Sequence, residues 1–152
     1  GWAVESLFER DIRQSLAKMI LSRIEIEKSA GAKTWNIAVE VEHVAPQTWQ
    51  DEWSEEDKGG GFENGDQCSQ YVNKLGNRTL LNPGSNASLG NKSLIDKQNA
   101  DEFGYNVQAE SWIVTRSLKS DVIQVWNPEQ IEIRSRRLFE DLFEIYSDEF
   151  LA

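Results

Sequence analysis

Two short segments hold the residue types best suited to chemistry. The first, residues 41–47, reads Val-Glu-His-Val-Ala-Pro-Gln and contains His43, the single histidine of the chain, beside the carboxylate of Glu42. Imidazole and carboxylate groups move protons and bind metal ions, which makes this pair a candidate site. The pair alone is weak evidence, because a lone histidine at the end of a strand is more often a structural or surface residue.

The second segment, residues 75–86, reads Leu-Gly-Asn-Arg-Thr-Leu-Leu-Asn-Pro-Gly-Ser-Asn. It places Asn77 and Asn86 nine residues apart across a short apolar stretch. Without the first segment, Asn77 and Asn82 would be read as turn and cap residues, because asparagine is common at such positions.

Together the two segments resemble a known family. An acid-His-apolar-x-Pro run, a later Gly-Asn-x-x-Leu and an Asn nine residues on are the pattern of HNH nucleases, also called His-Me finger nucleases. The chain is more similar still to the C-terminal nuclease domain of GmrSD-type, modification-dependent restriction enzymes and related phage-defence proteins. It matches the motifs of that family at residues 42–47, 75–81, 86 and 89–92, and the likeness covers nearly the whole chain.

The resemblance implies roles for individual side chains. His43 would be the general base, since a neutral imidazole with a pKa of about 6.5 takes a proton from water near neutral pH. Glu42 and Asn86 would supply oxygen ligands to one divalent metal ion, for which Mg²⁺ or Mn²⁺ is most suitable. Asn77 would support catalysis by holding the His43 loop through a hydrogen bond to backbone. Further candidates for substrate contact or a secondary role are Asn91, Lys92, Lys97 and Arg78.

Simpler interpretations of several candidates stay open. Asn91 is equally well explained as a helix-start residue, and Lys92 and Lys97 as solvated surface lysines. Strict alternation along a strand also puts the two members of the Glu-His pair on opposite faces, which conflicts with one shared site. A bend before Pro46 would reconcile them.

The elements that position these residues predict an α+β domain that is mostly helical, and the resemblance implies a ββα-metal (His-Me finger) motif at its centre. We expect an N-terminal helical part (1–34), the ββα-metal core (35–100) and C-terminal helices (101–152). Apolar residues at every fourth position predict a helix over 4–27, and alternation predicts a strand over 35–44. The elements expected after these are a helix over 66–75 capped by Asp66, a strand over 79–81, a helix over 86–100 and a last helix from the Asn127 cap to Tyr146.

Composition predicts one compact domain of 152 residues, of which 39% are hydrophobic. No run approaches the roughly 18 apolar residues of a transmembrane helix, so we expect no membrane association and a cytoplasmic location. The single cysteine, Cys68, cannot form an internal disulfide or a four-cysteine zinc site, and no structural zinc is expected.

Charge is the least favourable feature for a protein that acts on nucleic acid. The formal net charge is −10, whereas proteins that bind phosphate backbones usually present Lys and Arg. The charge is uneven, because the acidic segment, residues 50–66, carries a net −6 while residues 71–99 carry a net +3.

These observations predict a metal-dependent DNA endonuclease, the cutting or nicking module of a restriction or anti-phage defence enzyme. RNA is an open second substrate, because the motif does not read the sugar. The chain begins Gly1-Trp2 without Met, which we expect to mark an expression remnant, with an N-terminal nucleotide-hydrolysing or recognition domain outside this sequence. The alternative is a catalytically silent DNA- or protein-binding module on the same scaffold, in which the acidic segment docks another domain or occludes the site.

Overall fold

The computed structural model describes residues 9–151, and in this part of the chain helices combine with two short strands. The helices are α1 (Gln14–Lys28), α2 (Gly65–Ser69), α3 (Ser85–Leu89), α4 (Leu94–Asn99), α5 (Tyr105–Gln108) and α6 (Pro128–Leu151), and the strands are β1 (Glu40–His43) and β2 (Arg78–Leu81). Short 3₁₀ helices cover Asp51–Ser54, Glu56–Lys58, Leu75–Asn77 and Ile113–Leu118. The predicted α+β class is confirmed, with about half of the described residues in helices.

β1 and β2 form an antiparallel pair that carries both motif segments. Glu42 lies opposite Thr79, and His43 lies opposite Arg78. The strand predicted over 35–44 is shorter in the structure, where residues 35 and 36 form a turn and β1 begins at residue 40. β2 supplies only four residues for pairing, so the alternating residues before 40 have no partner strand in the described part of the chain.

Two apolar clusters hold this pair of strands between them. In the first, α1 packs against α6 and against the strand residues Val41 and Leu80. The second cluster continues from the end of the strands and includes Val44, Ala45, Leu81, Trp53, Tyr105 and Trp126. Val41 of β1 packs in the first cluster and Val44 and Ala45, directly after β1, pack in the second, so the end of β1 is fixed from two sides.

Two of the predicted helices differ from the structure. The helix predicted over 86–100 is broken into α3 and α4, because Gly90 adopts a left-handed φ of +52° and the Ser93 hydroxyl caps a new helix by accepting from the Asp96 N–H. The predicted Asp66 cap is wrong, since Asn64 Oδ1 accepts from the Gln67 N–H at 2.8 Å and α2 begins there.

The two terminal helices agree better with the sequence. Asn127 Oδ1 accepts from the Gln130 N–H at 2.8 Å and Pro128 is the first residue of α6, as predicted, although α6 continues beyond Tyr146 to Leu151. The helix predicted over 4–27 is wrong at residues 9–13, which are not helical, and α1 begins at Gln14. Its Val4 to Phe8 portion lies outside the described residues.

The acidic segment is packed against the domain through its apolar residues. Trp53 and Phe62 are buried in the second cluster, and the backbone of Gly61 bonds to that of Trp126. Within residues 9–151, none of the helices is both long and apolar enough to cross a membrane.

Candidate active site

A polar cleft of about 770 Å³ opens at the end of β1. Five of the predicted site residues line it: Glu42, His43, Arg78, Asn86 and Asn91. Asn77 and Lys97 are fully buried, and Lys92 is exposed but does not line the cleft. Residues from β1, β2, α3 and the segment before α1 therefore share one opening.

The expected conflict between strand alternation and a shared site is resolved at the end of β1. Glu42 and His43 are consecutive, yet both line the cleft. The chain bends at Val44 and Ala45, directly before Pro46. The cleft therefore opens around the end of the strand, where side chains from both faces can reach it.

Asn77 ties the segment after β1 to the start of β2. Its Oδ1 accepts from the backbone N–H of Ala45 and from the indole N–H of Trp126, both at 2.9 Å. Its Nδ2 donates to the carbonyls of Ala45 at 2.9 Å and Val72 at 3.0 Å. All four hydrogen-bonding positions of the amide are thus used inside the protein.

Lys97 lies beneath the site. Its ammonium donates to the carbonyls of His43 at 2.9 Å and Val44 at 2.8 Å, and lies 3.7 Å from Glu42 Oε2. Burial lowers the pKa of Lys97, and the nearby Glu42 carboxylate opposes that shift. A solvated lysine that contacts phosphate does not fit this position, so that interpretation is corrected: Lys97 braces the end of β1.

Glu42 has a buried carboxyl group, one oxygen of which accepts no hydrogen bond from the described residues. Its side chain is almost fully buried, and Oε2 accepts no hydrogen bond from the residues that the structure describes. Burial raises the pKa of Glu42 to about 7, with Lys97 acting against the shift and Glu40 adding to it. A buried acceptor of this kind is costly unless a ligand completes it.

His43 is held as a neutral imidazole. Burial, followed by the positive charge of Arg78, lowers its pKa to about 4, while a hydrogen bond to Asn73 acts in the other direction. The ordinary value of about 6.5 assumed from the sequence is therefore too high for the folded domain without substrate. The reason is the neighbouring guanidinium together with the loss of water.

Arg78 and Asn86 complete the polar lining. The Arg78 side chain is buried, its Nη2 donates to the Asn73 carbonyl, and within the described chain its Nε and Nη1 have no partner. Asn86 is exposed, and its Nδ2 donates to the Val41 carbonyl at 3.0 Å, which turns Oδ1 away from the strand.

Several residues of the cleft were not predicted from the sequence, and two of them bear on its chemistry. Asn73 contacts both His43 and Arg78 through its side chain, and Arg13 lies on the wall next to the start of α1. Asn73 stands four residues before Asn77, outside both motif segments, and nothing in its local sequence marks it. Only the folded turn between α2 and β2 brings its amide to the imidazole.

The described residues define a small α+β domain with a polar cleft at the end of a two-stranded sheet. The profile of the family described as GmrSD restriction endonucleases, C-terminal domain, matches residues 5–141. The chain belongs to this family and is a module of the restriction endonuclease type, which confirms the resemblance seen in its motifs. Neither a curated protein nor a solved structure matches the chain.

Proposed function

We propose that this chain is an HNH-type endonuclease, the metal-dependent cutting module of a restriction or defence enzyme that hydrolyses phosphodiester bonds in DNA. The observation that carries the proposal is the arrangement of Glu42, His43 and Asn86 around one cleft, although Asn86 lies more than forty residues along the chain from the other two. The order β1, β2, α3 is consistent with the ββα-metal motif that this class of nuclease uses.

The residues present fit a single divalent ion. Within residues 9–151 no three His, Cys, Asp or Glu side chains cluster in a way that would hold a metal. Mg²⁺ needs no such cluster, because it keeps several waters and binds through one or two carboxylates together with substrate phosphate oxygens. Two oxygens are suitable ligands for such an ion: Oε2 of Glu42, which accepts no hydrogen bond from the described residues, and the amide oxygen of Asn86. Such an ion supplies charge that polarises the scissile phosphate and neutralises the leaving 3′ oxygen.

His43 would act as the general base. Its lowered pKa keeps the imidazole unprotonated at neutral pH, so a lone pair is available before substrate arrives. A phosphate anion in the cleft would favour the imidazolium and move the pKa back toward the working pH. Proton transfer to His43 would thereby become easier in the presence of substrate than in its absence.

Arg78 would bind a substrate phosphate. Two of its guanidinium nitrogens have no hydrogen-bond partner within the described part of the chain, and each can donate to a phosphate oxygen. Arg13 adds a second guanidinium to the wall of the cleft. No residue of the acidic segment lines the cleft, where the acidic side chains of Asp11 and Glu42 face the two guanidinium groups.

The remaining parts of the proposal concern the setting of the domain. DNA is the proposed substrate because the family consists of restriction endonucleases. Recognition and nucleotide hydrolysis are assigned to a separate domain, and the proposed location is the cytoplasm. A silent binding module on the same scaffold is the second candidate, favoured by the acidic net charge.

The test compares cleavage of supercoiled plasmid by the wild type and by His43→Ala, with Mg²⁺, Mn²⁺ or a chelator present. Nicking or cutting that needs the divalent ion and is lost in His43→Ala is the expected result. Asn106→Ala is the matched control, because Asn106 does not line the cleft. Plasmid binding without cleavage in any of these ions would instead favour the silent module, and preferential cleavage of RNA would correct the substrate.

A further inference from the structure

Asn73 lies between the imidazole of His43 and the guanidinium of Arg78. Its Oδ1 is 3.2 Å from His43 Nε2 and 3.1 Å from Arg78 Nη2. The side chain is half-buried and lines the cleft. One amide oxygen is therefore shared by two nitrogens of two predicted site residues.

The guanidinium decides which way round the Asn73 amide lies. Arginine nitrogens only donate, and Nη2 also donates to the Asn73 backbone carbonyl at 3.0 Å, which holds it in place. If the amide were flipped, its NH₂ group would face the Nη2 hydrogens, and two donors would oppose each other. The surrounding hydrogen bonds thus assign the oxygen of Asn73 to this side.

The same oxygen then determines the position of the proton on His43. An amide oxygen can only accept, so the imidazole nitrogen that faces it carries the hydrogen. A neutral imidazole has one N–H and one lone pair, and with the hydrogen on Nε2 the lone pair is on Nδ1.

We propose that Asn73 is a positioning residue that fixes His43 as the Nε2–H tautomer, with Arg78 holding the Asn73 amide in the orientation that does so. Its relevance to cleavage rests on the proposed function, because in this tautomer Nδ1 would be the nitrogen of the general base that accepts the proton from water. The hydrogen bond also restrains the ring plane, and small errors in the direction of a base are costly to rate.

The chain offers a direct test because it has a single histidine. In protein with isotope-labelled histidine, nitrogen chemical shifts measured in mildly alkaline solution report the two tautomers of His43 alone, without substrate or metal. A neutral imidazole free in water is a mixture in which Nε2–H prevails, so the sensitive quantity is the minor Nδ1–H fraction. The variants are Asn73→Leu, Asn73→Asp, which keeps an acceptor oxygen, and Arg78→Met, with Asn106→Leu as the control.

The wild type, Asn73→Asp and Asn106→Leu are expected to show almost only Nε2–H. In Asn73→Leu and Arg78→Met the Nδ1–H fraction is expected to rise about fivefold, the factor that one ordinary hydrogen bond supplies. Near-UV circular dichroism checks that each variant is folded, and Asn73→Ala replaces Asn73→Leu if the larger side chain does not fold. An unchanged fraction in the folded Asn73 variant, or a substantial Nδ1–H fraction in the wild type, would overturn the proposal.

Plasmid cleavage then tests the role in catalysis separately. We expect Asn73→Leu to lower kcat with little change in KM, and Asn73→Asp to recover part of the loss. Tautomer shifts as expected together with an inactive wild type would count against the proposed nuclease function and leave the role of Asn73 in place. Full activity in an Asn73→Leu variant with mixed tautomers would overturn the positioning role.

Discussion

Replacing Glu42 with Gln is expected to change how the stability of the domain depends on pH. Burial, opposed by Lys97 and assisted by Glu40, raises the pKa of Glu42 from its ordinary 4.5 to about 7. This difference of roughly 2.5, at about 1.4 kcal/mol for each pKa unit, amounts to about 3 kcal/mol. The ionised carboxylate therefore costs folding free energy of that order above the folded-state pKa.

The sign follows from which state binds the proton. Between pH 4.5 and about 7 the folded chain keeps a proton on Glu42 that the unfolded chain has released, so this group lowers the free energy of unfolding as pH rises. His43 has the opposite effect between pH 6.5 and about 4, because its pKa is lowered and the unfolded chain holds the additional proton. In the wild type the two contributions oppose each other, whereas in Glu42→Gln only that of His43 remains.

The measurement is denaturant unfolding of both proteins, followed by tryptophan fluorescence across this pH range without metal. The quantity compared is the change in the free energy of unfolding from the acidic to the alkaline end of the pH range. This change is expected to be more favourable in Glu42→Gln than in the wild type by up to about 3 kcal/mol. The attraction of Lys97 acts on the ionised carboxylate and is already contained in the pKa of about 7, so the change across the range reports burial and this attraction together. The exposed Glu110→Gln is the control for loss of one negative charge, and its profile should run parallel to that of the wild type.

Divalent ions supply the second arm of this prediction. Mg²⁺ or Mn²⁺ at saturation should raise the Tm of the wild type, because only the folded state holds the ion, and should leave Glu42→Gln unchanged. A Glu42→Gln profile parallel to the wild type would refute the assigned pKa. Equal stabilisation of both proteins by the ion would refute Glu42 as a ligand.

Two predictions concern the support of the site. Asn77→Ala removes the acceptor for two buried donors, the Ala45 N–H and the Trp126 indole N–H. Because each unsatisfied donor costs about 1–3 kcal/mol, the free energy of unfolding measured with denaturant should fall by roughly 2–6 kcal/mol. A loss below about 1 kcal/mol would contradict this. In Gly76→Ala the added Cβ would overlap the Ile131 carbonyl on α6, so we expect a large drop in Tm, and an unchanged Tm would show that α6 can move away.

The parts of the fold that the sequence predicted well are those set by local chemistry. The end of β1 follows from alternation that stops at a proline, and the start of α6 follows from the Asn127 cap before Pro128. The start of β1 could not be predicted, because it depends on the length of the partner strand. The break between α3 and α4 could not be predicted from apolar spacing, because the positive φ of Gly90 ends α3 although the spacing continues.

The residues of the candidate site likewise include some that the sequence could identify and some that it could not. The motif residues His43, Glu42 and Asn86 could be named from the resemblance to a nuclease family, and the structure places them on one cleft. Lys97 could not be recognised as a buried brace, because its burial depends on α4 packing beneath the end of β1, near the Trp53 ring. Which lysine of a polar helix turns inward is a tertiary property that residue type does not reveal.

The polar groups buried at the cleft need ligands of opposite charge, and one complex of an anion with a cation would supply both. Glu42 Oε2 is an acceptor and Arg78 Nε and Nη1 are donors, and none of them has a hydrogen-bond partner within the described residues. A cation alone would complete Glu42 and be repelled by Arg78, while an anion alone would complete Arg78 and be repelled by Glu42. On the proposed function, a phosphodiester that arrives with its divalent ion completes both. This accounts for buried atoms of an acid and of an arginine that lack hydrogen bonds beside the same neutral imidazole, an arrangement that burial alone would disfavour.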